Sequence, residues 1–389
     1  MSKTYLDYAA TTPCDPKVVR AMSVYLKKDF GNPSSIHGFG QRASMALGGA
    51  RQSLAEFLNC DTEEIVFTGS ATEADNLAIF GTVRASKVPQ PHIITSQIEH
   101  PAVLESFREL EKRGVKVTYL PVGADGVLQA VELKKALKPD TILVSIMYAN
   151  NEIGTIQPIA EIGELIKKVS PKTLFHTDAV QAANFLDCDV KKLGVDLLTL
   201  SGHKIYGPKG VGALYVKRGT PIGPIMYGGG HERGLRSGTE NVSGIVGLGQ
   251  AIRELQNPKS KIHNIRTRQL RDKLIKTILK IIPGSRLNGS IFQRLPNNIN
   301  ISFDGAEGEA IVVALDQRGI AASTGSACSS GSLEPSHVLM SLGLPEEVAH
   351  GSLRLTLGRY TTAQDIEKVI RVLPGVIQKL RKISGYGQS

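Results

Sequence analysis

The sequence Ser201-Gly202-His203-Lys204 combines a hydroxyl, an imidazole and an amine at close spacing. It follows residues 196–200, an apolar run that predicts a short buried strand, and precedes a turn-rich loop over residues 205–212. Lys204 is therefore expected just past a strand end, where an amine can form a Schiff base with a carbonyl cofactor. The hydroxyl of Ser201 and the imidazole of His203 could hold an anionic group of that cofactor. An isolated Ser-Gly-His-Lys is more often a solvated loop, so this interpretation depends on the rest of the chain.

A turn of small residues precedes a predicted helix earlier in the chain. Gly69-Ser70-Ala71-Thr72-Glu73 follows a strand predicted over residues 64–68 and opens a helix predicted over residues 72–83. Ser70 and Glu73 fit a capping box. Small residues also leave backbone N–H groups open at the positive end of a helix, which suits a phosphate group. A simple cap and a phosphate site are equally favoured by this turn alone.

Asp178 directly follows a strand predicted over residues 174–177. A carboxylate at the carboxyl end of a strand, otherwise costly to bury, is the partner that a protonated pyridine nitrogen needs. Gln181 lies three residues later and could reach another side of the same ring. A plain N-cap role for Asp178 has comparable weight.

Two further strand ends carry polar side chains. His100 begins a predicted helix after the strand predicted over residues 92–96, and its imidazole could stack on a ring or shuttle a proton. A helix-start histidine without a role is at least as common. Asn150-Asn151-Glu152-Ile153-Gly154 follows the apolar strand predicted over residues 141–146. Open α/β sheets place their ligands at such carboxyl ends.

The segment 321–335 is unusual, because eleven of its fifteen residues are Ala, Ser, Thr or Gly, with Cys328 near the middle. Such a composition offers little to pack, so it favours a displayed, mobile nucleophile over a buried thiol, although flexible linkers have the same composition. Arg354 lies in a polar–apolar alternation and could bind a carboxylate with two hydrogen bonds. Such an arginine is often only part of a solvated strand face.

Charge and composition exclude several classes of function. The net charge is +10, but the basic residues are dispersed and aromatic residues make up only 5%, so no stacking platform for nucleic acid is predicted. An anionic cofactor or an acidic protein partner explains the excess equally well. Neither an apolar run of membrane-spanning length nor an N-terminal signal is found, and the four cysteines lack metal-ligand spacing, so a cytoplasmic protein without disulfides or a resident metal is expected.

The order of predicted elements indicates an α/β fold. Helical and strand patterns alternate from about residue 15 to residue 217, which predicts a mostly parallel sheet with helices on both faces. A long helical pattern over residues 242–282 has one break signal at Asn257-Pro258. We predict a large domain over residues 15–257. A smaller α+β domain is predicted from residues 1–14 and 258–389.

Taken together, these motifs resemble those of the cysteine desulfurases of the NifS/IscS type, a branch of the fold-type I pyridoxal phosphate enzymes. The resemblance covers essentially the whole chain, and it is the ordered set that is specific. The motifs are Tyr5-Leu6-Asp7-Tyr8-Ala9-Ala10-Thr11-Thr12-Pro13, Gly31-Asn32-Pro33-Ser34-Ser35, Ala71-Thr72-Glu73, Asn150-Asn151-Glu152-Ile153-Gly154, Ser201-Gly202-His203-Lys204, Arg236-Ser237-Gly238-Thr239, Gly325-Ser326-Ala327-Cys328 and Arg354-Leu355-Thr356-Leu357-Gly358-Arg359.

The resemblance implies a seven-stranded-type sheet in the large domain and a role for each matching residue. Lys204 would hold pyridoxal 5'-phosphate as a Schiff base and act as a base, and Cys328 would be the persulfide-forming nucleophile. The remaining implied roles are phosphate binding by Ala71, Thr72, Ser201, His203 and the second subunit's Thr239, ring contacts by His100, Asp178 and Gln181, and binding of the substrate carboxylate by Asn151 and Arg354. The resemblance also implies that Asn151 binds the cofactor and that His100 is catalytic.

The resemblance also implies partners. L-cysteine would be the substrate, the protein would be a homodimer, and sulfur would pass to an iron–sulfur scaffold protein or another acceptor, such as a tRNA-thiolation relay. Cys328 would serve as a transient ligand of a nascent iron–sulfur cluster. A selenocysteine lyase and a small aminotransferase are the alternatives within the superfamily, and Cys328 in its small-residue segment favours the desulfurase over the aminotransferase. A basic binding protein that merely keeps the fold is a third alternative, disfavoured because every cofactor position is filled.

Overall fold

A computed structural model describes residues 3–325 and 334–386 of the chain. Within these ranges the strands are β1 Thr4–Tyr5, β2 Ile65–Thr68, β3 His92–Ser96, β4 Lys116–Leu120, β5 Thr141–Ser145, β6 Leu174–Asp178, β7 Leu197–Ser201, β8 Gly212–Val216, β9 Ser285–Leu287, β10 Asn298–Phe303, β11 Ile320–Ala321 and β12 Ser352–Thr356. The helices are α1 Pro16–Lys27, α2 Gly38–Leu58, α3 Ala71–Ala85, α4 Pro101–Lys112, α5 Ala130–Ala136, α6 Ile159–Val169, α7 Val190–Leu193, α8 Val242–Gln256, α9 Pro258–Ile281, α10 Gly308–Asp316, α11 His337–Ser341, α12 Glu346–His350 and α13 Ala363–Ser384.

Seven strands form the central sheet in the order β2-β8-β7-β6-β5-β3-β4. The pairs β3–β4, β3–β5, β5–β6 and β6–β7 are parallel, whereas β8 runs antiparallel to both β2 and β7. The predicted α/β fold with a mostly parallel sheet is therefore confirmed. Because six strands share one direction, their carboxyl ends meet at one edge of the sheet.

The two faces of this sheet carry different side chains, because successive residues of a strand point to opposite sides. Leu143 and Leu197 pack in an apolar cluster with α3 and α4, while their neighbours Val144 and Leu198 pack in a second cluster with α2, α6 and α8. Strands β3, β6 and β7 are almost wholly buried, as expected for a parallel sheet covered on both faces.

A third apolar cluster forms around the smaller sheets. Strands β12, β10 and β9 form an antiparallel sheet, and β1 pairs with β11. Their apolar faces pack against α9, α10 and α13 through residues such as Leu274, Ile311 and Leu373. Leu6 also belongs to this cluster, so the N-terminal segment joins the C-terminal part of the chain. The exact limits of the two proposed domains stay a prediction.

Local rules account for many element boundaries. The helix pattern over residues 242–282 is broken where predicted, since Asn257 caps α9 and Pro258 is its first residue. His100 accepts a hydrogen bond from the Ala102 N–H at 3.1 Å and so caps α4. No helix in the described ranges has the length and apolar character needed to cross a membrane.

Candidate active site

A cavity of about 430 Å³ lies where the carboxyl ends of β5, β6 and β7 face the start of α3. Ten residues predicted from the sequence line it: Ala71, Thr72, His100, Asn151, Asp178, Gln181, Ser201, His203, Lys204 and Arg354. Thr239 is exposed and is not among the residues lining the cavity of this single chain. Cys328 lies outside the residues that the structure describes.

Lys204 ends a short 3-10 turn, Gly202–Lys204, directly after β7. Its Nζ donates hydrogen bonds to the carbonyl oxygens of Ala9 at 2.5 Å and Ala10 at 2.8 Å. Thr12 fixes this N-terminal segment against the lysine turn, because its N–H and its hydroxyl both donate to the His203 carbonyl. The amine is thus held at the wall of the cavity by main-chain oxygens.

The start of α3 forms a second wall. The Ser70 hydroxyl accepts from the Glu73 N–H at 3.1 Å, which confirms the predicted cap. The other predicted hydrogen bond of the capping box, from the Ser70 N–H to the Glu73 side chain, is wrong. Glu73 Oε2 accepts from the Gly69 N–H instead, and Glu73 Oε1 pairs with Arg236. Arg236 draws the Glu73 carboxylate away from the helix start, which leaves the first N–H groups available to an anion.

Gly212 is the reason that β8 can approach this helix start so closely. A Cβ at that position would lie 2.6 Å from the Ser70 carbonyl carbon and 2.8 Å from the Ala71 nitrogen. A side chain would therefore push the helix start away from the cavity. The imidazole of His203 completes this end, with its Nδ1 3.1 Å from the Thr11 hydroxyl. Burial and the charge of Lys204 lower the pKa of His203 to about 4.

Asp178, the last residue of β6, lies at the floor of the cavity. Its Oδ1 accepts from the Val180 N–H at 2.8 Å, but residues 180–185 form turns and the next helix begins at Val190, so the N-cap alternative is wrong. Burial raises the pKa of Asp178 to about 6, opposed by that hydrogen bond and by the charge of Lys204. A buried carboxylate of this kind gains stability from an incoming cation. Gln181 donates to the Ala9 carbonyl at 3.0 Å, the same oxygen that binds Lys204.

His100 is neutral, since burial and the positive charge of Lys204 lower its pKa to about 4. Its Nδ1 accepts the hydrogen bond from Ala102, which assigns the ring proton to Nε2. Such a ring is suited to packing against a flat aromatic group without adding charge.

Arg354 is only 3% exposed, so the alternative of a solvated strand face is wrong. All five residues of β12 are buried, because the sheet formed by β12, β10 and β9 is covered on both faces. Arg354 Nη2 pairs with Asp7 at 2.9 Å, and Nη1 donates to the Asn151 carbonyl at 3.0 Å. Its Nε is buried without a hydrogen-bond partner within the described chain, which suits an added anionic ligand.

The Glu152 side chain lies close to described residues on both sides of segment 326–333. The Ser336 hydroxyl, which caps α11, donates to Glu152 Oε2 at 2.6 Å. On the other side, a Cβ added to Gly325 would lie 3.3 Å from the same oxygen. Gly325 and Ser336, which flank the segment that contains Cys328, therefore lie beside the Glu152 carboxylate, and Arg354 Nη1 donates to the Gly325 carbonyl at 3.4 Å.

The three described cysteines are free thiols whose surroundings suppress ionisation. Burial raises the pKa of Cys60 and of Cys188 to about 12 and also raises the pKa of Cys14. Since the thiolate is the nucleophilic form, these three side chains are poor nucleophiles.

The residues present fit pyridoxal phosphate. The cavity combines open N–H groups for a phosphate, a buried carboxylate for a pyridinium nitrogen, an amine for the carbonyl and a buried arginine with a spare donor. Sequence analysis missed Asp75, which lines the cavity, and the pairing of Asp7 with Arg354. The N-terminal motif that contains Asp7 was a signal for the pairing with Arg354. No sequence pattern distinguishes Asp75 from other polar residues inside a helix.

Comparison with known proteins gives consistent matches over the whole chain. The Aminotransferase class-V family matches residues 4–369. "Cysteine desulfurase IscS" of Dictyoglomus turgidum is 51% identical over 386 residues, which cover 99% of this chain and 97% of that protein. A solved "NifS-like protein" superimposes with a TM-score of 0.89 at 36% identity, covering 99% of this chain and 100% of that chain. A structure described as "SspA in complex with cysteine" has a TM-score of 0.80 at 37% identity, covering 92% and 100%.

Proposed function

Because this chain belongs to the cysteine desulfurases of the class-V aminotransferase family, we propose that it converts L-cysteine to L-alanine and a persulfide on Cys328. Its cofactor is pyridoxal phosphate. The observation that carries the proposal is a single cavity that brings together Lys204, Asp178 and Arg354 from three distant parts of the sequence.

The phosphate is proposed to bind at the start of α3. The N–H of Ala71 and the side chains of Thr72, Ser201 and His203 surround this end of the cavity. A helix N-terminus stabilises an anion through its open N–H groups and its dipole. His203 then acts as a neutral hydrogen-bond donor, because its pKa lies well below neutrality.

Asp178 is proposed to pair with the pyridine nitrogen, Gln181 to bond the ring hydroxyl, and His100 to stack on the ring. Bound pyridoxal phosphate supplies the electron sink that weakens bonds to the substrate Cα and Cβ. Burial of Asp178 strengthens its attraction for a protonated nitrogen, because the surrounding dielectric is low. Lys204 is the proposed base for the Cα proton, since its amine is the nucleophile of the site and lies beside the ring position.

The substrate carboxylate is proposed to bind Arg354 and Asn151. Arg354 is already oriented by Asp7, and its unpartnered Nε gives it a donor to spare. This places the substrate side chain toward Gly325, from which the chain leads to Cys328.

The Cys328 thiolate is proposed to attack the substrate sulfur. A bond forms between the two sulfur atoms and the Cβ–S bond breaks. Its electron pair stays on the carbon skeleton, which takes up protons and leaves as L-alanine. The protein contributes to this step by holding the thiolate and the substrate sulfur in position to react.

We also propose a homodimer in which Thr239 of one subunit completes the phosphate site of the other. Thr239 is exposed and is not among the residues that line its own cavity, and large apolar side chains near α1 and α2 are also exposed, with Ile36 92% and Phe30 68% exposed. Patches of this kind mark protein interfaces. Sulfur would pass to an iron–sulfur scaffold protein or another acceptor in the cytoplasm, where thiols stay reduced.

The test is Cys328→Ser, because a hydroxyl stays protonated and attacks sulfur poorly. The variant should bind pyridoxal phosphate and L-cysteine but release little alanine. After a pulse of cysteine, mass spectrometry should find an adduct of about 32 Da, one sulfur atom, on Cys328 of the wild type alone.

Cys14→Ser, Cys60→Ser and Cys188→Ser are the matched controls and should each turn over cysteine at a rate close to the wild type. An adduct on one of those thiols would contradict the proposal. Alanine release at full rate by Cys328→Ser would instead favour a lyase mechanism without a protein persulfide.

A further inference from the structure

A second buried carboxyl group lies beside the cavity and has no role in the proposed reaction. Asp75, the fifth residue of α3, is 1% exposed and lines the cavity next to Asp178. Its Oδ1 has no hydrogen-bond partner within the described chain. The nearest ring nitrogen, His176 Nε2, is 3.6 Å away, too far for a hydrogen bond.

The face of the sheet under Asp75 becomes polar toward the carboxyl ends of its strands. Leu143 and Leu197 give way two residues later to Ser145 and Thr199 on the same face. His176 and Asp178 lie between them on β6, in register with Ser145 and Thr199 respectively. These side chains form one buried layer beneath the first turns of α3.

A chain of hydrogen bonds crosses this layer and ends at Asp75. The Ser145 hydroxyl is 2.8 Å from His176 Nδ1, and His176 Nε2 is 3.0 Å from the Thr199 hydroxyl. The Thr199 side chain in turn interacts with Asp75 and lowers the pKa of that carboxyl, in opposition to the effect of burial. Burial lowers the pKa of His176 to about 3, so its neutral ring passes a hydrogen bond along the chain and supplies no positive charge.

The layer therefore holds more carboxyl groups than cations. Asp75, Asp178 and Glu99 are all buried, and among the described residues the ammonium named among the main charges acting on them is that of Lys204. His100, facing the same space from α4, is neutral. Burial raises the pKa of Asp75 well above its ordinary value, and the negative charge of Asp178 raises it further. Two ionised carboxylates in one buried site would repel each other at low dielectric.

We propose that Asp75 and Asp178 act as a two-carboxyl pair carrying a single negative charge, in which Asp75 is the proton-bearing member that positions Asp178 for the pyridine nitrogen. The inference rests on the proposed role of Asp178. The Ser145–His176–Thr199 chain leads to the Asp75 carboxyl, and a protonated Asp75 keeps the charge on the carboxylate that faces the cofactor. Asp75 is thus a positioning residue.

The first test contains no cofactor and no substrate. In the apo protein a neutral Asp75 must hold a proton that the unfolded chain releases above a pH of about 4, so this residue makes stability fall as pH rises. Asp75→Asn removes the proton and keeps the shape. The urea midpoint of Asp75→Asn relative to wild type should therefore increase steadily from pH 5 to pH 8.

Asp316→Asn, which changes an exposed carboxylate on α10, is the control and should show a constant difference. A constant difference for Asp75→Asn as well would overturn the proposal, because it would mean that Asp75 is ionised in the folded protein. This outcome is independent of whether the chain turns over cysteine.

The second test measures pyridoxal phosphate binding to the apo protein by titration and the visible absorption of the loaded protein against pH. Asp75→Asn should bind within about threefold of the wild type and keep its spectral midpoint, since the charge is unchanged. Asp75→Ala should bind about tenfold more weakly, because the hydrogen-bond chain loses its end. If Asp75→Asn weakens binding as much as Asp178→Asn, the pair carries two charges and the proposal is wrong. If Asp75→Ala does not fold, the Asn variant still decides between these outcomes.

Discussion

At the level of single residues, the amine of Lys204 makes the sharpest prediction. Lys204→Ala and Lys204→Arg should both fold and both lack a borohydride-fixed cofactor, because only a nucleophilic amine can form the Schiff base. Arginine keeps the charge next to Ala9 and Ala10 but is never deprotonated in proteins. We expect turnover of cysteine to fall by about 10²- to 10⁴-fold in both variants. Mass spectrometry after reduction gives the cofactor content, and wild-type turnover by either variant would contradict the assignment.

Arg354 should determine the affinity for the substrate. Arg354→Ala removes a charge-assisted hydrogen bond to the cysteine carboxylate, about 1.5–3 kcal/mol, so KM should rise about 10- to 150-fold with a smaller change in kcat. Arg268→Ala, which changes an exposed arginine on α9, is the control. An unchanged KM with a fall in kcat would assign Arg354 a different role.

Individual residues also show where sequence analysis succeeds and fails. Asp178 and Lys204 were predicted because each follows a strand, and strand ends of a parallel sheet meet at one edge. Arg354 appeared ambiguous because alternation predicts a half-exposed strand, whereas β12 is covered on both faces. Asp75 was missed because its neighbours are brought together by the sheet register, which no local pattern reveals.

At the level of elements, the short helix α11 depends on one hydroxyl. Ser336 caps α11 through the Leu339 N–H and also satisfies the buried Glu152 carboxylate. Ser336→Ala should therefore destabilise the protein by about 2–4 kcal/mol, the sum of a lost cap and an unsatisfied buried acceptor. It should also slow persulfide formation on Cys328 more than it weakens cofactor binding. Urea unfolding and a single-turnover measurement check these two effects.

Ser341→Ala is the matched control, since among the described residues the Ser341 hydroxyl donates to the His337 carbonyl within the same helix. Equal losses of stability in the two variants would show that Ser336 does not hold the segment. Helices and strands were predicted to within a few residues, as for α3 and β3, because periodicity and caps are local. The reassignment of Glu73 to Gly69 and Arg236 depended on tertiary contacts that the capping rule does not include.

At the level of the whole molecule, the proposed homodimer explains why one predicted site residue lies off the cavity. A single chain supplies ten of the predicted lining residues, while Thr239 faces outward. No pattern within one chain could place Thr239 at a second chain's cofactor. The net charge of +10 also belongs to this scale, because it sets the long-range attraction for anionic ligands and acidic partners rather than the chemistry of the site.

The proposed dimer would make cofactor retention depend on assembly. Ile36→Asp places a charge on a side chain that is 92% exposed in the single chain, so the subunit should still fold while association is blocked. If Thr239 completes the partner's phosphate site, the resulting monomer should bind pyridoxal phosphate at least about tenfold more weakly, the loss of roughly one hydrogen bond to a charged group.

Phe292→Asp, at an equally exposed apolar side chain distant in sequence, is the control and should remain dimeric with unchanged affinity for pyridoxal phosphate. Sedimentation and cofactor titration on the same samples measure both quantities. Thr239→Ala then separates the loss of the threonine contact from the loss of the dimer, because it should weaken cofactor binding while the dimer persists. A monomeric Ile36→Asp protein with wild-type affinity would show that each subunit binds its cofactor alone.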